Sequence, residues 1–159
     1  MEKAKKFLEL TKEESEPVLE LTFPPHSIGT ESCFYEYFAL KGMRVDHFEP
    51  SLIYCSFKVP PRLTNRGGNL ASGAVANLVD IAGNAVARKK KGETIKVSVD
   101  MSILYISLAK IGDDLEIVSR LLGQSGSYYG IVVVVKNKTT GEVDAEGRLS
   151  LLGKQTSKL

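Results

Sequence analysis

The stretch Leu63-Thr-Asn-Arg-Gly-Gly-Asn-Leu-Ala-Ser-Gly-Ala-Val-Ala-Asn-Leu-Val-Asp80 decides how this chain is read. A polar, glycine-bearing loop gives way to a helix in which Val75, Leu78, Val79, Ala82 and Val86 recur at helical spacing. Asn69 or Ser72 suits its N-cap, and Arg88, Lys89, Lys90 and Lys91 before Gly92 suit its negative end. The remaining circumference (Gly73, Ala74, Ala76, Ile81, Gly83, Ala85) is small or apolar, which predicts a helix buried almost all round. In its middle only Asn77, Asp80 and Asn84 are polar, and their spacings of three and four stack them in one stripe. A carboxylate in such a place is costly unless it is paired, hydrogen-bonded or set in a wet cleft. Asp80 is therefore either a structural carboxylate bonded to Asn77 or Asn84, or the centre of the chemistry.

Strands surround this helix. Met43–Glu49 and Leu52–Val59 read as a hairpin joined by Pro50-Ser51, and Pro60-Pro61 ends it. After the helix, Lys96–Ser107 is a long strand with Val97, Val99, Met101 and Ile103 on one face and Ser98, Asp100 and Ser102 on the other. Turns at 111–114, 123–126 and 139–141 separate strands Leu115–Leu122, Ser127–Lys136 and Val143–Leu152. The order is β-β-α-β-β-β-β, an α+β chain with an antiparallel meander around one long helix. The run Ile131-Val-Val-Val-Val135 is apolar on both faces, which asks for the helix on one side and a partner subunit on the other. Before the strands, residues 2–14, Val18–Leu21 and Glu31–Leu40 read as short helical pieces in a covering layer. The expected division is residues 1–42 as an extension, 43–153 as the domain and 154–159 as a tail.

Composition narrows the class. A chain of 159 residues, 43% hydrophobic and 25% charged, suits one globular domain. A net charge of +2 argues against a nucleic-acid partner. Cys33 and Cys55 form no C-x-x-C pair and are expected as free thiols, and no apolar run is long enough for a membrane span. His26 and His47 lack companions at metal-ligand spacing, so no metal is expected. The N-terminus lacks a signal-peptide core, whereas Ser157-Lys158-Leu159 matches the tripeptide read by the peroxisomal import receptor. The expected location is the peroxisome.

Thr64-Asn65, Leu70-x-x-Gly73, Leu78-Val-Asp80, Val97-Ser-Val-Asp-Met101, Ala109-Lys-x-Gly-Asp-Asp-Leu115 and Asn137-Lys-x-Thr-Gly141 together resemble the acyl-coenzyme A thioesterase 13 group of hotdog proteins. The similarity runs through about residues 43–153, and the helix wording is most like that of plant members. The resemblance implies a hotdog fold, hydrolysis of fatty acyl-CoA thioesters without a cofactor (coenzyme A being part of the substrate), and a homotetramer of dimers with interfacial sites. It implies a catalytic carboxylate at Asp80, a polar loop residue at Asn65 and a strand serine at Ser98, supplied by the neighbouring subunit. Asp100 follows one side-chain step along the same face. Coenzyme A contacts are implied for Tyr105–Lys110, hence Tyr105 and Lys110, and for the turn 123–128, hence Gly126 and Ser127. Animal members have His-Gly where this chain has Ala71-Ser72; the backbone N–H persists and the imidazole does not.

Elementary chemistry agrees with that assignment. Thioester hydrolysis needs a base to activate water, a role open to a carboxylate in a partly dry cleft. It also needs donors for the developing oxyanion, and free N–H groups in the first helical turn, near Ser72 and Gly73, are suited to this. Arg66 is a candidate for coenzyme A phosphates. A non-catalytic acyl-CoA-binding protein is the alternative, prompted by the absent histidine, and a hotdog dehydratase is a weaker third.

Overall fold

The computed structural model describes residues 11–13, 16, 34–87 and 96–153. The turn 18–21, Cys33, His26, the basic run 88–91, the terminal tripeptide and most of the predicted N-terminal helix lie outside them. The chain divides into two compact units, Met1–Phe38 and Ala39–Leu159. A short helix, α1 (Phe34–Leu40), crosses that boundary within the predicted segment.

The second unit is a six-stranded antiparallel sheet and one long helix, α2 (Ser72–Val86). The strands are β1 (Arg44–Glu49), β2 (Leu52–Lys58), β3 (Lys96–Tyr105), β4 (Asp114–Ser125), β5 (Tyr128–Asn137) and β6 (Val143–Gly153). Their spatial order is β1-β2-β4-β5-β6-β3. Only β4, β5 and β6 form a meander. After α2 the chain crosses to the far edge, so β3 pairs with β6 rather than with β4, a correction to the simple meander. α2 packs against all five strands from β2 to β6. One helix reaches so many strands only if the sheet curls around it, and this is the hotdog architecture.

Register explains which residues form the core. Phe57 pairs with Leu115, Ile117 with Val135, and Ile131 with Leu149, all nearly inaccessible and on one face. Against them α2 presents Val75, Leu78, Val79, Ala82, Gly83 and Val86. Burying five or six such side chains contributes on the order of 10 kcal/mol, at about 2 kcal/mol each, before chain entropy is counted. Gly147 on β6 marks the closest approach of sheet to helix: a Cβ built there would collide with Val79. On the outer face, Val132 is buried in register between Arg120 and Arg148, and Val134 is half-buried.

Two expectations change. The helix is buried on one face only, with Asn77, Asp80, Ile81 and Asn84 partly accessible, because the sheet wraps one side of it. The turn expected at 123–126 is shorter and later. β4 runs through a bulge at Leu122 to Ser125, and Gly126-Ser127 makes a two-residue turn with Gly126 at φ 57°.

Candidate active site

The loop before α2 is built on Asn65. Its Oδ1 accepts the Gly67 N–H at 2.9 Å and the Asn69 N–H at 3.2 Å, while its own N–H reaches the Asn69 carbonyl at 2.8 Å. Gly68, at φ 73°, closes the turn. The Leu70 N–H donates to the Ala109 carbonyl at 2.8 Å and the Ile111 N–H to the Gly68 carbonyl at 2.9 Å, which ties this loop to the segment 109–111. Asn65 thus shapes the loop through its side-chain oxygen, and its hydrogen bonds do not reach Asp80. Arg66 is exposed in the same loop, and Lys110 is exposed on the strand of chain bridged to Asn69.

α2 opens without a side-chain cap. The N-cap is Ala71, in extended conformation, and neither Asn69 nor Ser72 caps it as expected. Its carbonyl accepts the N–H groups of Ala74 and Val75. The N–H groups of Ser72 and Gly73 have no acceptor among the described residues, both residues are exposed, and the space beside the Gly73 Cα is open. Two unsatisfied donors at the positive end of a helix are an oxyanion site in the chemical sense. The Tyr105 hydroxyl donates to the Ser72 carbonyl at 3.1 Å, so Tyr105, expected only as a coenzyme A contact, also braces this end of the helix.

Asp80 lies two turns further along. Its Oδ1 accepts the Ser98 hydroxyl at 2.6 Å and the Asn84 amide at 3.2 Å. The same Asn84 Nδ2 lies 3.1 Å from Ser98 Oγ and 3.0 Å from the Asp80 carbonyl oxygen. Oδ2 of Asp80 has no hydrogen-bond partner among the described residues. The carboxylate is therefore held by one oxygen and open at the other. Asn77 takes no part. Of the two asparagines in the stripe, only the one following at i+4 reaches Asp80.

A bulge in β3 puts Ser98 there. Ser98 pairs with Leu151 and Asp100 with Ser150, so two residues advance on β3 for one on β6. That extra residue, Val99, reverses the alternation: Ser98, Met101, Ile103 and Tyr105 pair with the inward residues of β6, while Val97 and Asp100 pair with outward ones. Two expectations are corrected here. Asp100 is exposed on the face opposite Ser98, and Val97 does not share a face with Met101. Within this chain, Ser98 meets Asp80.

The remaining candidates sort by their ends of β3. Register links Gly126-Ser127 through Tyr128 and Leu152 to Val97, at the end that carries Ser98 and Asp80. Tyr105, Lys110, Arg66, Ser72 and Gly73 belong to the other end. Seven helical steps separate Gly73 from Asp80, about 10 Å along the axis. The free N–H pair and the carboxylate are thus two separate groups on one helix.

A family model described as thioesterase superfamily matches residues 67–144. Acyl-coenzyme A thioesterase 13 of Mus musculus is 40% identical over 100 residues, covering 62% of this chain and 71% of that protein. The Homo sapiens protein of the same name is 39% identical over the same shares. Among solved structures, zebrafish thioesterase superfamily member 2 superposes with a TM-score of 0.68 at 35% identity, covering 72% of this chain and 84% of that one. Member 2 from Mus musculus gives 0.67 at 33%, over 74% and 86%.

Proposed function

The chain belongs to the acyl-coenzyme A thioesterase 13 family of the thioesterase superfamily, and from that premise we propose a mechanism in which Asp80 activates the water that hydrolyses the thioester. It is a thioester hydrolase, and its substrate is an acyl-CoA. A water on Asp80 Oδ2 gives its proton to that oxygen as its own oxygen bonds to the thioester carbon. The carbonyl π pair moves to oxygen, where the N–H groups of Ser72 and Gly73 stabilise the negative charge. Collapse breaks the carbon–sulfur bond, and the leaving thiolate takes the proton back from Asp80. No cofactor enters these steps. The observation that carries this reading is the half-open carboxylate: Oδ1 fixed by Ser98 and Asn84, Oδ2 unpartnered.

The catalytic unit in this reading is a pair of chains, within a tetramer. β3 is an edge strand that leaves Val97, Val99, Met101 and Leu104 exposed, and an unpaired apolar edge invites a second strand. Two β3 strands paired antiparallel about a two-fold axis near Met101 bring the Ser98 end of one beside the Tyr105 end of the other. Asp80 then faces the partner subunit's Ser72 and Gly73, and carboxylate and N–H donors together make one site. Lys110 and Arg66 supply positive charge for the coenzyme A phosphates, and Gly126-Ser127 supplies turn N–H groups at the opposite end. The domain 43–153 carries all of this, and the Ser157-Lys158-Leu159 tail directs the protein to the peroxisome through the import receptor.

The test is thiol release from acyl-CoAs of short to long chain, by wild type and by Asp80→Asn. The substitution keeps size and the bonds to Oδ1 while removing the base, so turnover falls by roughly two to four orders of magnitude with the melting temperature unchanged. A folded Asp80→Asn protein with normal turnover overturns the mechanism. For the tail, an N-terminal fluorescent fusion becomes punctate, and loses that pattern when residues 157–159 are deleted; identical distributions overturn the assignment.

A further inference from the structure

We infer that Asn84 is a positioning residue for the hydrolytic step, fixing which oxygen of Asp80 takes the proton and in which direction Ser98 points its own. The inference rests on the reading of Asp80 as base given above. Two groups compete for that description. The 2.6 Å contact between Ser98 Oγ and Asp80 Oδ1 is compatible with a serine nucleophile as well as with an orienting hydroxyl. Asn84 separates the two possibilities.

Its amide nitrogen, half-buried one helical turn after Asp80, touches both members of the pair: Oδ1 at 3.2 Å and Ser98 Oγ at 3.1 Å. An amide N–H2 only donates, so Ser98 Oγ accepts from Asn84 and sends its own proton to Oδ1. A hydroxyl oxygen that already accepts a hydrogen bond is a poorer nucleophile, and its rotor is locked. Oδ1, with two donors, is occupied in the same stroke, and a base must use Oδ2. The third contact, 3.0 Å to the Asp80 carbonyl oxygen, anchors the amide to the helix it stands on. The side chain is thus held before substrate arrives, as preorganisation demands.

A structural asparagine and a positioning one differ in what their loss changes. Asn84→Ala improves helix propensity at a half-buried position and leaves the apolar face of α2 intact, so it folds. With one charge-assisted bond gone and Ser98 free to rotate, kcat falls about tenfold or more while KM stays within about twofold. In combination with Ser98→Ala, the loss is smaller than the product of the two single losses, because both act through Oδ1. If Asn84→Ala melts early, Asn84→Gln decides, since it keeps an amide and recovers part of the lost kcat. Unchanged kcat in a folded Asn84→Ala protein, or multiplicative losses in the double variant, overturns the inference. Normal turnover in Asp80→Asn overturns the underlying mechanism instead, so the two failures are told apart.

Discussion

Ser98 Oγ lies 2.6 Å from Asp80 Oδ1, although eighteen positions of sequence and a change from helix to sheet separate them. The contact exists because β3 runs antiparallel along β6 and gains one residue at Val99, which turns the Ser98 side chain towards α2. It gives the hydroxyl one defined role, donor to a carboxylate, in the site where the proposed mechanism has water as the nucleophile.

Ser98→Ala therefore lowers kcat by about ten- to a hundredfold, the scale of one hydrogen bond to a charged group. It does not reach the loss expected of Asp80→Asn. The expected outcome of rapid-quench mass spectrometry of wild type is a protein that carries no acyl group. A trapped acyl-serine, or a Ser98→Ala variant as dead as Asp80→Asn, would give Ser98 the nucleophile's role.

Ser72→Pro removes a backbone N–H without breaking the helix. Ser72 is the first helical residue after the Ala71 cap, a position that proline favours, and Ala71 at φ −63° and ψ 138° already has the conformation required before proline. Loss of an oxyanion donor costs about a hundred- to a thousandfold in kcat. Circular dichroism and melting confirm the helix, and kinetics at saturating acyl-CoA measure the loss. Full turnover in this variant would move the oxyanion site elsewhere.

Asp144 tests the energetics of the fold away from the chemistry. It is 5% exposed, Oδ2 has no hydrogen-bond partner among the described residues, and burial, then Asp113, then Glu142 push its carboxyl above the ordinary value. A carboxyl whose folded pKa lies above its unfolded one contributes stability that is complete below the unfolded value and is lost as pH rises through the folded one. At neutral pH the ionised group is a cost. Asp144→Asn removes the buried charge beside Asp113 and Glu142 and stabilises the fold by about 1 kcal/mol. Its advantage in melting temperature shrinks towards pH 4. Equal stability of the two proteins from pH 4 to pH 8 would contradict this.

Local pattern and long-range pairing divided what the sequence disclosed. Spacing of three and four was enough to place Asp80 and Asn84 on one stripe of a helix, and their hydrogen bond follows from i to i+4 geometry alone. Strand positions were legible for the same reason, since alternation is local. The face of Asp100 was not. It depends on one extra residue at Val99, and a bulge is set by pairing with β6, fifty residues away in chain order, rather than by the residues around it. The helix cap failed differently. Ser72 and Asn69 are good capping types, yet the loop bonds of Asn65 and Leu70 fix the chain so that Ala71 takes the cap position. Expected burial all round α2 treated apolar content as burial within one chain, whereas the accessible face bears the catalytic stripe and the partner surface in the proposed assembly.

Complementation between two inactive variants tests that assembly directly. In the proposed dimer each site joins Asp80 of one chain with Ser72 of its partner, so the two variants Asp80→Asn and Ser72→Pro damage opposite halves. A mixed dimer has one site with both lesions and one site with neither. If the variants are co-expressed and assemble at random, half of the dimers are mixed and half of their sites are intact, giving about a quarter of wild-type turnover. Each variant alone stays inactive, and mixing after assembly restores activity only as fast as subunits exchange. A site confined to one chain behaves otherwise: every chain then carries a lesion in its own site, and co-expression recovers nothing. Differently tagged variants, purified through both tags in sequence, isolate the mixed species and raise its expected turnover to about half of wild type. The same preparation assayed with Ser98→Ala in place of Ser72→Pro gives the control. Ser98 and Asp80 belong to one chain, so the mixed dimer then has one site limited by each lesion, no site is whole, and turnover cannot exceed half of what Ser98→Ala supports.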